Sequence, residues 1–174
     1  HPLSTASNKG KYWRLRTLSI AMKTSSTRKT KSIILVILFI ALALRLIGIA
    51  SRAIWYDEAF SILISEQGPS AILVGTLSTD ADTSSAEEHP PAYYFIVWSW
   101  IKLFGNSISA ARILSILAGV GIVGVIYWIC KQLFDETTAQ AAGILAAILP
   151  FQVHFSQEIR MYIFLALWLT ITTY

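Results

Sequence analysis

Three short polar clusters interrupt an otherwise apolar chain, and each carries side chains able to move a proton or grip an ion. Trp55-Tyr56-Asp57-Glu58 sets two adjacent carboxylates at the head of an amphipathic stretch. A carboxylate there can act as a general base or hold a cation. Acidic residues are also what a helix N-terminus attracts through its dipole. Glu88-His89-Pro90-Pro91-Ala92-Tyr93-Tyr94 places a histidine before two prolines. The prolines stiffen the chain and can present His89 as a hydrogen-bond donor, or they simply start a helix. Ser156-Gln157-Glu158-Ile159-Arg160-Met161-Tyr162 brings an acid and a base together beside a tyrosine. As an exposed ion pair it contributes at most about 1 kcal/mol. Arg112 heads a later apolar run, where it can serve a site or reach along its helix to water.

The elements that must position these residues are membrane helices. Hydrophobic residues make up 55% of the chain and charged residues 14%, against about 25% charge in soluble domains. The mean hydropathy is +0.58. The net charge of +4 is segregated: residues 1–31 hold eight Lys or Arg and no acid, whereas residues 52–91 hold seven acids and only Arg52 as a base. Segregation of this kind sets membrane topology rather than a nucleic-acid surface. The one cysteine, Cys130, sits in an apolar run as a core or lipid-facing residue, without a disulfide partner or metal-site spacing.

Ser32–Ala50 is the first expected span; its length of about 28 Å suffices to cross hydrocarbon. Arg45, toward its outer end, is expected to snorkel outward. The basic flank places the N-terminus in the cytoplasm. Residues 1–31 form a basic cytoplasmic tail, and with Met22 as the expected natural start, residues 1–21 are not native. The interval 51–109 forms the first outer loop. It holds a short amphipathic helix over Asp57–Glu66, a break at Gly68-Pro69, a second apolar stretch over Ser70–Leu77 and an acidic loop over Thr79–Glu88. Ala92–Phe104 is too short to span, at about 20 Å, and its Tyr and Trp content predicts a helix lying at the interface. Ala110–Ile129 is a full span, Lys131–Thr138 a polar turn, Ala139–Phe155 a third span interrupted at Pro150, and Met161–Tyr174 the start of a fourth. The expectation is an all-α polytopic protein of about four spans.

Taken in order, YDEAFS, HPPAYY, AARILS and FSQEIRMY resemble the N-terminal part of the GT-C membrane glycosyltransferases. Residues 33–174 are most similar to the dolichyl-phosphate-mannose protein mannosyltransferases and the bacterial aminoarabinose transferases of lipid A. The resemblance implies the GT-C fold and inverting transfer of a mannose-like or aminoarabinose-like sugar. The donor is a polyprenyl-phosphate carrier and the acceptor an extracytoplasmic lipid, glycan or protein. It implies Asp57, with Glu58 beside it, as the base. Arg112 and Arg160 are implied for the carrier phosphate, and His89, Tyr93, Glu158 and Tyr162 as further substrate contacts. No cofactor is certain; a divalent cation, where one takes part, falls to Asp57 and Glu158. Relatives have more spans, so these residues are expected to be the inactive front portion of an enzyme of the bacterial plasma membrane. A different class, a transporter or assembly subunit, would bury polar groups near mid-membrane, whereas these clusters sit at span ends.

Overall fold

The computed structural model describes residues 32–74, 76–77, 85–86 and 90–173. The basic tail, most of the acidic loop and His89 lie outside them. The chain runs through α1 (Ser32–Leu46), α2 (Tyr56–Glu66), α3 (Pro69–Val74), α4 (Ala92–Phe104), α5 (Ile108–Leu133), α6 (Glu136–Ile148), α7 (Pro150–Ser156) and α8 (Tyr162–Thr172). A two-residue antiparallel ladder ties the end of the apolar stretch to the acidic loop, pairing Thr76 with Ala86 and Leu77 with Ser85. All else that is regular among the described residues is helical.

Helix α5 is the axis. Ser107 caps it by accepting from the Ala110 amide at 3.2 Å. Its 26 residues are long and apolar enough to cross a membrane. Helices α6 and α7 pass the same test only as a pair, bent by 57°. The expected first and fourth spans are shorter than a crossing. Helix α1 ends at Leu46 rather than Ala50, because Gly48 takes φ +74° and turns the chain. Helix α8 has 11 described residues. The polar turn expected over Lys131–Thr138 is also shorter. Helix α5 continues to Leu133, and Asp135 caps α6 through the Thr138 amide at 2.7 Å.

One apolar cluster joins α2, α3 and α4 to α5 through Phe60, Ile64, Ile72, Tyr94, Val97 and Ala111, with Ile159 closing it. A second joins α1 to α5 and α6 through Ile37, Ala41, Val123, Tyr127, Ala139 and Ala147. A third seats α8 on α5 through Ile122 and Ile163. The Trp100 indole N–H bonds to the Ala110 carbonyl at 2.8 Å and ties α4 to the head of α5.

Between these clusters sits Arg45, which does not snorkel outward. It is 0% exposed. Its guanidinium donates to the carbonyls of Ala41 at 3.0 Å, Ala147 at 3.1 Å and Ala146 at 3.4 Å, and its Nε to Ser156 Oγ at 3.0 Å. The reason lies in Pro150. A proline has no N–H to give the carbonyl four residues back, which is that of Ala146. In an apolar surround an unpaired carbonyl is costly, so the bend at Pro150 creates a site that a long cationic donor fills. Gly119 makes room for it. A Cβ there would lie 2.1 Å from Ser156 Oγ and 3.1 Å from Arg45 Nε.

Gly119→Ala is therefore expected to destabilise the protein by about 1–3 kcal/mol, the usual range for overpacking. The readout is a lower thermal unfolding midpoint in detergent micelles. Gly124→Ala, whose Cβ would meet only Leu38 at 3.7 Å, should leave the midpoint unchanged or slightly raised.

Candidate active site

The site begins with a buried ion pair. Glu58, in the first turn of α2, is 2% exposed, and Arg112, in the first turns of α5, is 1% exposed. Arg112 Nη2 meets Glu58 Oε2 at 2.8 Å and Arg112 Nε meets Oε1 at 3.3 Å, a two-pronged contact. Arg112 Nη1 donates to the carbonyls of Ile49 at 2.8 Å and Arg52 at 3.0 Å, and Nη2 to that of Ala53 at 3.2 Å. A guanidinium has five N–H groups, and here all are engaged. Glu58 is equally saturated. Its Oε2 accepts the Trp55 amide at 3.3 Å, which caps α2, and its Oε1 accepts the Ile159 amide at 3.0 Å. Burial pushes the Glu58 carboxyl upward. The Arg112 guanidinium and the amides of Ile159 and Trp55 outweigh it and hold the group below the usual carboxylate range.

Both residues are thus engaged with each other and with the backbone. Arg112 has no N–H left for a carrier phosphate. Glu58 borders the cleft, yet both its oxygens are occupied. Neighbours on a helix point about 100° apart, so Asp57 faces elsewhere, with 58% of its side chain exposed.

Asp57, Glu158, Arg160, Tyr162, Trp55 and His154 line a cleft of about 240 Å³ that Glu58 borders. Arg160 Nη2 lies 3.1 Å from Asp57 Oδ2, with 18% of the arginine side chain exposed. The guanidinium also lies over the Tyr162 ring, 5.3 Å from its centroid. Glu158 Oε1 lies 3.1 Å from His154 Nε2. An ion pair as open to water as that of Asp57 and Arg160 contributes at most about 1 kcal/mol, so a phosphate can displace its carboxylate. Beside the cleft, and sharing Tyr162 with it, runs an apolar groove of about 540 Å³ between α7 and α8, lined by Phe151, Gln152, Phe155, Ile163 and Ala166.

The cleft thus unites Asp57 with Glu158, Arg160 and Tyr162. Tyr93 is not among them. It is buried against Tyr94 and Phe164, and its hydroxyl has no hydrogen-bond partner among the described residues. Burial, reinforced by Tyr94, pushes that hydroxyl to a higher pKa. Asp57 and Glu158 each already face a basic side chain, and among the described residues no three His, Cys, Asp or Glu side chains are placed to hold one metal ion. Among the described residues alone, this donor set does not assemble a divalent-cation site. Sequence reasoning missed Arg52, His154 and Gln157. Arg52 donates to Gln157 Oε1 at 2.9 Å, and Gln157 Nε2 donates to the carbonyls of Arg45 at 3.0 Å and Ile47 at 2.9 Å. The one sequence signal was Gln157 itself, a long amide at a helix end.

Residues 88–174, half of the chain, match the sequence model of the family described as dolichyl-phosphate-mannose-protein mannosyltransferase. No curated protein and no solved structure matches. The matched segment contains Arg112, Glu158, Arg160 and Tyr162, and Asp57 and Glu58 reach it through the two ion pairs.

Glu58→Ala is expected to destabilise the fold by about 3–5 kcal/mol, because Arg112 would be left buried and uncompensated. Glu58→Gln should cost less. Because the folded-state carboxyl is held low, its contribution is complete above the ordinary carboxylate range and lost as pH falls through the folded value. Unfolding midpoints measured from pH 7 to pH 3 should fall more steeply below about pH 4 in the wild type than in Glu58→Gln.

Proposed function

The chain belongs to the family of dolichyl-phosphate-mannose-protein mannosyltransferases, and on that premise we propose that its cleft transfers a sugar from a polyprenyl-phosphate carrier to an acceptor hydroxyl, with inversion. The family is one of membrane glycosyltransferases of GT-C type. The observation that carries the finer reading is the contact between Asp57 and Arg160 across one cleft, beside an apolar groove. A base, a phosphate-binding cation and a place for a hydrocarbon chain are what this reaction requires.

In this reading the carrier phosphate takes Arg160 from Asp57. The first isoprene units lie along Phe151, Phe155 and Ile163, and Tyr162 marks the junction. The freed Asp57 carboxylate accepts the proton of the acceptor hydroxyl. The hydroxyl oxygen attacks the anomeric carbon as the bond from that carbon to the phosphate oxygen breaks. The leaving phosphate gains one negative charge, which Arg160 stabilises. Glu58 and Arg112 touch neither reactant; they hold α2 against α5 and so set where Asp57 stands.

The basic residues before α1 and the acids after it support a cytoplasmic N-terminus and an outer cleft. The compact WYDEAF and SQEIRMY pattern, which resembles bacterial members, supports a bacterial plasma membrane, with four crossings once α1, α8 and the α6–α7 pair each count as one. The rival reading as a transporter would draw on Arg45, a cation buried within an apolar helix and absent from the cleft lining. Its hydrogen bonds to three carbonyls and Ser156 leave it no role as a solute site.

Transfer from a polyprenyl-phosphate sugar, assayed with the full-length protein in membranes, should fall about 10²–10⁴-fold in kcat for Asp57→Asn, the range for loss of a general base. Arg160→Ala should weaken donor binding as well as turnover. Undiminished turnover in Asp57→Asn would remove Asp57 as the base.

A further inference from the structure

Glu158 is held from one side only. Its Oε1 meets His154 Nε2 at 3.1 Å, while Oε2 has no hydrogen-bond partner among the described residues. The other ring nitrogen, Nδ1, lies 3.1 Å from Arg52 Nη2. The orientation of this chain of contacts can be worked out from its far end. Gln157 Nε2 donates to two backbone carbonyls, so its Oε1 must be the atom facing Arg52. A guanidinium only donates. His154 Nδ1 therefore offers a lone pair to Arg52, and the ring proton sits on Nε2, directed at Glu158. The contacts run from Arg52 through His154 to Glu158 Oε1, which lies 3.1 Å from the protonated ring nitrogen.

We propose that Arg52 and His154 are positioning residues that aim Glu158 Oε2 into the cleft to accept a hydroxyl of the sugar being transferred, so that Glu158 reads the donor's sugar ring. This rests on the glycosyltransferase reading above and adds how that site selects its sugar. Division of labour within the cleft supports it. Arg160 and Asp57 face each other at one place, and Glu158 is a second carboxylate with a free acceptor oxygen in the same space. A carboxylate cannot grip the carrier phosphate, whose charge it would repel. It suits a hydroxyl donor, because a hydrogen bond to an ionised oxygen is stronger than one between neutral groups. A site built to accept from a hydroxyl also rejects the analogue that lacks it, since the carboxylate is then left without its partner. Were Nδ1 protonated instead, Nε2 would be an acceptor facing a carboxylate, and Glu158 would lose its tether.

Two measurements test this on the full-length protein in lipid nanodiscs. With ¹⁵N-labelled histidine, and His154→Gln to assign the signal, His154 should show a pyrrole-type Nε2 and a pyridine-type Nδ1. Arg52→Met should erode that preference. Binding is then compared for mannosyl-phosphoryl-polyprenol and its monodeoxy forms. The wild type should bind one monodeoxy form at least about tenfold more weakly than the parent, the factor expected for one hydrogen bond to a charged group. His154→Leu should weaken the parent by about the same factor and lose the discrimination, and His154→Gln, which keeps an N–H donor, should restore most of both. A protonated Nδ1 in the wild type, or undiminished discrimination in His154→Leu, overturns the proposal alone. A wild type that binds no sugar-bearing carrier overturns the glycosyltransferase reading and this one with it.

Discussion

Glu58 and Arg112 lie 54 residues apart in the chain and meet in a pocket from which water is excluded. Neither charge could be buried alone, and each is stable there only because the other, with backbone donors and acceptors, satisfies every remaining position. Their partners come from the turn after α1, the cap of α2, the head of α5 and the strand of chain before α8. A single pair therefore gathers the four segments that border the cleft. Once Glu58 is drawn inward, its neighbour Asp57 has to project outward. Once the Ile159 amide is drawn to Glu58, the flanking Glu158 and Arg160 are brought to the same opening.

Arg45 performs a related task closer to the middle of the bundle. Pro150 bends the α6–α7 pair and deprives a carbonyl of its usual donor, and Arg45 supplies the replacement from a different helix. Through Ser156 and Gln157 the same network fixes the end of α7. The two buried arginines thus work alike: each donates most of its guanidinium N–H groups to backbone carbonyls. Arg160, by contrast, keeps a partly exposed side chain in the cleft with a single carboxylate partner.

Much of the helical plan was legible beforehand. Ala92–Phe104 was read as a helix opening after two prolines, and α4 has those bounds. The break at Pro150 follows from the missing N–H. The clusters around Asp57 and Glu158 were visible as polar islands in apolar surroundings. The lengths of α1 and the turn before α6 were misjudged, because hydropathy continues through Gly48 while the backbone does not, and because helix α5 carries Lys131 and Gln132 beyond its apolar stretch. Tyr93 was implied as a site residue by the resemblance, yet both it and Tyr94 pack inward.

What the sequence determined by itself was therefore local: which segments are helical, where they break, and that acids and bases are confined to their ends. These follow from periodicity, from the geometry of proline and glycine, and from the cost of placing charge in hydrocarbon. Only the tertiary structure decided how the charged residues divide. Asp57 and Glu58 are equivalent as neighbours in a string, and Arg45, Arg112 and Arg160 are equivalent as arginines. Burial and the supply of backbone partners at long range separate them into saturated pairs that hold the helices together and open groups that can meet a substrate.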